Sequence, residues 1–431
     1  MHNDLQKQKT KKTIQSIVGA ASGNLVEWFD FYIYAVFVDY FKDALIPGDI
    51  DEGTKSIYAW GVFAASFFMR PIGSWLFGYI GDKYGRKISM IISIVLMSCS
   101  SFLFALLPTY EAVGIMAPIL LLVVRLLQGL SVGGEYGTVA TYMSEVALKG
   151  RKGFFSSFQY VTLSGGQLLA SLLGVIMIHF MSHDQLYDGG WRIPFVIGGV
   201  VALFSLFLRS HLHETSSTAS RDNKDSGNII ALIRKHGRAF ATVIGFTSAG
   251  SLAFYTITVY SRTYISEGMD SETVGLVMTA CLFVFMLVQP LFGALGDRWG
   301  NRKSMIYFSA ITAITIYPVM AIGMKAYADN PYIIFMLLSF MMIVLSFYTS
   351  IGGLIKAEMF PQEVRALGVG VSYAIGNAIF GGSAPAVALK FKSVNQENVF
   401  FIYVIVMLII CFFISLSLPK EPKHLHNEDH H

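Results

Sequence analysis

The chain has 431 residues, 54% of them hydrophobic and 14% charged, with a formal net charge of +4 at pH 7. Soluble domains carry about 25% charged residues, so an ordinary water-soluble fold is excluded, and so mild a positive balance gives no reason to invoke nucleic acid. Cys99, Cys281 and Cys411 sit inside apolar runs with neither even pairing nor ligand-like spacing, the pattern of buried inert thiols.

A membrane helix needs about 20 apolar residues, and the chain offers twelve such runs. They lie near 16–40, 57–80, 88–107, 112–140, 154–180, 193–210, 238–262, 273–296, 304–325, 331–355, 366–390 and 398–418. The runs are continuous rather than alternating, which predicts helices and not barrel strands. A basic start (Lys7, Lys9, Lys11, Lys12) leads into the first run, which continues through Phe37 without a cleavage site. It reads as an uncleaved first span.

Span 1 carries Glu27 and Asp30, which fall with Tyr34 on one helical face. A charge at the bilayer centre costs about 2.5–3.5 kcal/mol on insertion scales, so this stripe must face a cavity or a partner. A carboxyl that alternates between wet and dry surroundings changes its proton affinity, as proton coupling requires. The alternative is a structural pair with Arg70 or Arg125. Asp30 is the preferred proton-coupling group, with Glu27 as helper.

In span 4, Arg125, Gln128, Val132 and Tyr136 share a face. A forked, permanent cation suits a carboxylate substrate; pairing with an internal acid is the rival. Glu135 lies off that stripe and reads as a structural pair. Gly129, Gly133 and Gly137 repeat every four residues, a pattern for close helix approach. Gln159 and Gln167 in span 5 are weaker candidates of the same type. Residues 211–235 form the longest connector and read as a flexible cytoplasmic linker. His211-Leu212-His213 there, like the tail His426–His431, reads as solvated rather than as a metal site.

The second half opens with Ser248, Ser251, Tyr255, Thr258 and Arg262 on one stripe of span 7, a face that could line a pathway opposite spans 1 and 4. Ser346, Thr349 and Ser350 in span 10 and Asn377 in span 11 join the candidates. The substrate set is therefore Arg125, Gln128, Tyr136, Gln159, Tyr255 and Asn377.

One heptapeptide marks the plan of the whole chain. Gly81-Asp82-Lys83-Tyr84-Gly85-Arg86-Lys87 returns 215 residues later as Gly296-Asp297-Arg298-Trp299-Gly300-Asn301-Arg302. A parallel duplication of a multi-span unit follows, and a substrate site between such halves is the usual consequence. The division predicted is a six-helix bundle over 1–210, the linker 211–235, and a second bundle with a short tail over 236–431. The connectors after spans 4 and 10 also echo each other, with Glu145 preceding Arg151 and Glu358 preceding Arg365. Together with Asp82 and Asp297 these charges can bridge the halves in one closed state.

Connectors on the side of these motifs hold 23 of the 32 Lys and Arg residues, against seven on the other side. Positive connectors stay inside, so both termini are expected in the cytoplasm. Arg70 and Arg125 remain at membrane depth. The chain contains no Walker loop, zinc helix or nucleophile elbow, so nothing points to an ATP-driven pump, a metal or an enzyme.

Gly78-x-x-x-Asp82-x-x-Gly85-Arg86-Lys87 resembles the loop 2–3 signature of the major facilitator superfamily, and its second copy stands where that family places one. Gly23-Asn24-Leu25-Val26-Glu27-Trp28-Phe29-Asp30-Phe31-Tyr32 is similar to the first-span hallmark of the metabolite:proton symporter branch. Stretches 128–146, 150–170, 191–195 and 346–384 carry the same likeness. The resemblance implies an all-α membrane protein with twelve transmembrane helices in two pseudo-symmetric six-helix bundles, the major facilitator fold. It implies Gly78, Asp82, Gly85, Arg86, Glu145, Arg151, Asp297, Glu358 and Arg365 as a conformational switch. It also implies proton-coupled import of a dicarboxylate such as 2-oxoglutarate by alternating access, with no cofactor beyond the proton. Two residues depart from the pattern: Asn301 replaces a basic residue, and Pro385 falls where the likeness carries an acid.

The expected partners are a small organic acid and the lipid bilayer, the place is the bacterial cytoplasmic (inner) membrane, and the working unit is a monomer. The alternatives are a same-branch carrier of a tricarboxylate such as citrate, of shikimate, or of a zwitterion such as betaine or proline. The 13 residues after Leu418 carry no heptads, which argues against an osmosensing tail. A non-transporting sensor on the same scaffold would need a signalling domain that the sequence lacks.

Overall fold

The structure, a computed structural model, describes residues 2–420; the histidine tail His426–His431 lies outside the described residues. Twelve long helices cross the molecule. In the first half these are α1 (His2–Leu45), α2 (Glu52–Lys83), α3 (Arg86–Ala105), α4 (Met116–Val146), α5 (Phe158–Phe180) and α6 (Ile193–Ser210). In the second they are α7 (Ile229–Tyr255), α8 (Ser271–Trp299), α9 (Asn301–Ile316), α10 (Pro331–Thr349), α11 (Arg365–Gly376) and α12 (Glu397–Ser417). Ten are long and apolar enough to span a bilayer. The other two, α1 and α2, hold Asn24, Glu27, Asp30 and Arg70 in their middles, which lowers their mean hydropathy.

Local chemistry sets the helix ends. Asp51 accepts from the Thr54 N–H at 2.9 Å to open α2, and Asp270 accepts from the Thr273 N–H at 3.0 Å to open α8, so the duplication extends to the caps. Asn228 and Asn330 do the same for α7 and α10, and Pro331 fills the first position of α10. Gly85 and Gly300 end the two motif turns at φ of 120° and 93°, which side chains with a Cβ rarely adopt. The second half has an irregularity that the first lacks among the described residues. Helices α7, α9 and α11 run into π turns at Thr256–Tyr260, Tyr317–Gly323 and Asn377–Gly381.

Each half packs by the same scheme. Helix α1 lies on α5, α2 on α4 and α3 on α6; in the second half α7 lies on α11, α8 on α10 and α9 on α12. The predicted glycine ridge of α4 does what its spacing implies. A Cβ on Gly129 or Gly133 would run into the α2 backbone at Ser66 or Arg70, while Gly137 meets Gly370 of the other half. Large apolar side chains such as Phe68, Phe180, Ile314 and Tyr332 stand at the surface. That is inverted for water and natural for lipid.

The halves meet by two matching crossings. Helix α2 packs against α11, and α8 packs against α5 and the short helix Lys152–Ser156 before it. The expected loose linker is instead tied down. Glu214 accepts from the backbone N–H groups of Arg86 and Lys87 at 2.9 and 3.1 Å, Ser226 Oγ donates to the Asp82 carbonyl at 2.8 Å, and α7 already begins at Ile229. Its polar side chains read as solvated in the sequence, whereas here they cap helix ends.

Candidate functional site

Between the halves lies a narrow cavity of about 10 Å³, lined by Trp28, Tyr160 and Leu163 of the first half and by Gly250, Ser251, Phe254, Tyr255, Tyr348, Tyr373 and Asn377 of the second. That is room for about one water, so the halves are closed around it here and a metabolite enters only when they move apart. Its rim carries buried polar atoms without a hydrogen-bond partner, Tyr255 Oη and Asn377 Nδ2. Orphaned groups of this kind are rare in a finished interior. Gln159 adds an amide with both atoms unpaired, packed against Gly353 of the opposite half.

Two of the six predicted substrate residues, Tyr255 and Asn377, line this cavity. Tyr136 lies beside it, its ring stacked on Tyr373 at 3.5 Å between centroids, one ring from each half. Arg125 and Gln128 sit deeper in the first half. The Arg125 guanidinium lies 4.3 Å over the Tyr34 ring and Nη1 donates to Gln128 Oε1 at 2.8 Å. Gln128 Nε2 in turn reaches Asp30 Oδ2 at 3.4 Å, and Ser101 Oγ also donates to that oxygen. A single amide thus joins the predicted cation to the predicted proton carrier, in place of the direct ion pair that was the structural alternative. Tyr34 completes its stripe by donating to the Ala59 carbonyl at 2.6 Å. Glu27 is buried and its Oε2 has no partner, with Arg70 within electrostatic reach.

Seven Lys and Arg residues are buried among those described: Lys55, Arg70, Arg86, Arg125, Arg209, Lys356 and Arg365. Four face carboxylates. Lys55 pairs with Asp43 and Glu52, Arg86 with Asp82 and Glu145, Arg209 with Glu135, and Arg365 with Glu145. Arg70, Arg125 and Lys356 make no such pair. Arg70 stands 3.9 Å over the Phe67 ring and 5.4 Å from that of Phe31, with Nε unsatisfied. The matching helix of the second half carries Gln289-Pro290 in place of Arg70-Pro71, and there Gln289 is satisfied by Ser346 and Thr349 at 3.0 and 2.9 Å.

Lys356 corrects the sequence reading. By the limits of the apolar runs it falls in the connector between 331–355 and 366–390, yet it is fully buried on the helix Gly352–Glu358 that continues α10. The apolar run ends just before it, so hydropathy alone placed it outside; the signal that could have found it is Tyr348, Gly352 and Lys356 spaced four apart on one face. Arg209, at the end of the run 193–210, is the buried partner of Glu135, the structural pairing expected for that acid. On span 7 the stripe stops short. The π turn after Tyr255 interrupts the helical period, Arg262 ends exposed, and Ser248 and Thr258 donate to carbonyls of their own helix.

At the motif face the halves are locked together. Asp82 accepts from the N–H groups of Ala366 and Leu367 at 3.0 and 2.9 Å, in the first turn of α11. Asp297 accepts from those of Gly153 and Phe154 at 2.6 and 2.9 Å. Both carboxylates serve orphan donors at the positive end of a helix. Gly78 is where α2 and α11 touch, since a Cβ there would lie 2.7 Å from the Leu367 Cα. Arg86 bridges Asp82 at 3.0 Å and Glu145 at 3.2 Å, and Arg365 reaches across to Glu145 at 2.8 Å. Asn301 Nδ2 lies 3.2 Å from both oxygens of Glu358. Arg151 is exposed.

Comparison with known proteins agrees with this architecture. Residues 16–228 match the model of the sugar (and other) transporter family and residues 251–430 that of the major facilitator superfamily. The chain is 52% identical to the alpha-ketoglutarate permease of Escherichia coli (strain K12) over 97% of its length and 96% of that protein's. It is 32% identical to the citrate-proton symporter of Klebsiella pneumoniae, over 87% of this chain and 84% of the other. Among solved structures, the proton:xylose symporter XylE superposes with a TM-score of 0.78 at 19% identity, covering 98% of this chain and 99% of that one. These relatives are transporters, not enzymes. Twelve helices in two halves, a shared cavity and a duplicated motif lock make this chain a member of the major facilitator superfamily.

Proposed function

We propose that this protein imports 2-oxoglutarate together with a proton, by alternating access, across the bacterial cytoplasmic membrane. In this reading it works as a monomer with both termini cytoplasmic, the side favoured by the positive connectors. The observation that carries the reading is the relay Arg125–Gln128–Asp30, which joins a cation without a carboxylate partner to a buried acid. A substrate carboxylate that draws on the Arg125 guanidinium loosens its hold on Gln128, and the field at Asp30 changes with it. Binding and protonation are then linked through one side chain. Arg70, equally without an acid, is the second first-half cation available to the substrate.

The charge balance favours an organic anion over a zwitterion. Neither Arg70 nor Arg125 has a carboxylate in direct contact, and a substrate carboxylate can take that place at each guanidinium, which the positive group of betaine or proline cannot. The 52%-identical relative named for alpha-ketoglutarate supports the dicarboxylate over the tricarboxylate of the 32%-identical one.

The test is uptake into proteoliposomes of labelled 2-oxoglutarate under an imposed proton gradient, with citrate, shikimate and betaine as competitors. Accumulation should stop when the gradient is collapsed, and unlabelled 2-oxoglutarate should compete best. Accumulation that survives collapse but needs sodium, or stronger competition by citrate or betaine, overturns the reading. Arg125→Lys keeps the charge and loses the fork, so apparent affinity should fall markedly.

A further inference from the structure

Resting on that reading, we propose that Lys356 is the second-half anchor of the site, receiving the carboxylate that the first-half arginines do not hold. The ammonium lies directly beside the cavity. Its Nζ donates to Tyr348 Oη at 3.1 Å and lies 5.2 Å from the Tyr373 ring, and both residues line the cavity wall. A second bond runs to Tyr136 Oη at 2.8 Å, across the boundary between the halves. Four aromatic rings surround the nitrogen at 5.0–5.9 Å: Tyr136, Phe246, Tyr348 and Tyr373.

A purely structural part for this side chain is poorly suited to the chemistry. Two neutral hydroxyls and four ring faces hold an ammonium, but they do not neutralise it, and an uncompensated charge in a dry interior is costly. The same chain pairs Arg86, Arg209 and Arg365 with carboxylates where only cohesion is needed. The two phenol oxygens that Lys356 Nζ donates to are acceptors that a stronger one can replace, because a charge-assisted bond to a carboxylate outweighs one to a phenol. The Tyr373 hydroxyl lies within electrostatic reach of Arg70 and Glu27 of the first half. Once the halves part, a ligand with a carboxylate at each end can answer Lys356 with one and a first-half arginine with the other, whereas one with a single carboxylate leaves one of the two unanswered.

Because Tyr136 belongs to the first half, the substrate carboxylate competes with a bond that ties the halves together. Binding therefore bears on the lock from inside the cavity.

The experiment uses the purified full-length protein and compares 2-oxoglutarate with 2-oxopentanoate, which has the same carbon chain but one carboxylate. Wild type should prefer 2-oxoglutarate by about tenfold or more, the worth of one charged hydrogen bond. In Lys356→Gln that preference should collapse through lost 2-oxoglutarate affinity, with 2-oxopentanoate little changed. An equal loss for both ligands, or an intact preference, overturns the inference. If wild type itself binds no dicarboxylate, the substrate reading fails, a result visible before any variant is made. Should Lys356→Gln not fold, Lys356→Arg serves instead. Its longer fork should shift the preferred length among four-, five- and six-carbon dicarboxylates, and an unshifted preference counts against the anchor.

Discussion

The two motif copies build the same lock with different strength. In both, a carboxylate at the end of one helix accepts from two backbone N–H groups that open a helix of the other half. The backbone plan is symmetric. The charges are not. Around Asp82 the side chains of Arg86, Glu145 and Arg365 are 0–5% exposed and form a continuous pair network. Around Asp297, which is half-buried, Asn301 stands in the place of Arg86, with Lys152 within reach of Glu358. A surface charge contributes little where a buried, fully paired one contributes much. The duplication therefore supplies the geometry twice, and the electrostatic weight is concentrated in one copy.

The largest effect expected from breaking this asymmetry comes from Glu145→Gln. It leaves two buried guanidiniums facing a neutral amide, a loss of about 3–5 kcal/mol from the closed motif face. A cysteine reporter on that face should become accessible and the melting temperature should fall; a reporter that stays protected would contradict the weight assigned to Glu145. Next comes Asp82→Asn, which turns two charge-assisted bonds, each worth about 1.5–3 kcal/mol, into neutral ones worth about 0.5–1.5 kcal/mol each. Turnover should slow while equilibrium substrate binding persists, and lost binding in a folded variant would place Asp82 in the site instead. Asp297→Asn should show the same pattern at smaller amplitude, because water already screens that carboxylate. Equal effects at the two positions would remove the asymmetry altogether. Smallest is the gain from Asn301→Arg, about 0.2–1 kcal/mol for a partly exposed new pair. It should protect the motif-face reporter slightly and slow release on that side; a faster release would mean that Asn301 holds Glu358 better than a cation does.

Much of this was legible in the sequence. The twelve helices, the duplication and the motif lock follow from apolar run length and a repeated heptapeptide, because lipid makes helix length and backbone satisfaction nearly compulsory. The glycine ridge of α4 and the pairing of Glu135 were legible too, through spacing and depth. What escaped was set by packing between distant segments. The stripe of Arg125 left a substrate or an internal acid open as its partner, because helix periodicity gives a direction and not a neighbour; here that direction leads to Tyr34 and Gln128. Lys356 was hidden because a long side chain can carry its charge several ångströms back along its own helix, away from where the hydropathy run ends. Arg262 was misjudged because a π turn adds a residue per turn, and nothing in the local composition of 256–260 announces one.

The caps and motifs described for α2 and α8 also record how the two halves have drifted since they were one. From the cap Asp51 to Gly81 there are 30 residues, and from Asp270 to Gly296 there are 26. The difference is four residues, close to one helical turn. Loss of four rotates the far end of a helix by about 40°, whereas loss of two rotates it by about 160° and points every side chain the wrong way. A membrane helix that must meet fixed neighbours at both ends can be shortened in descent only by near-whole turns. The second lock therefore keeps the facing of the first although the helix behind it is about 6 Å shorter.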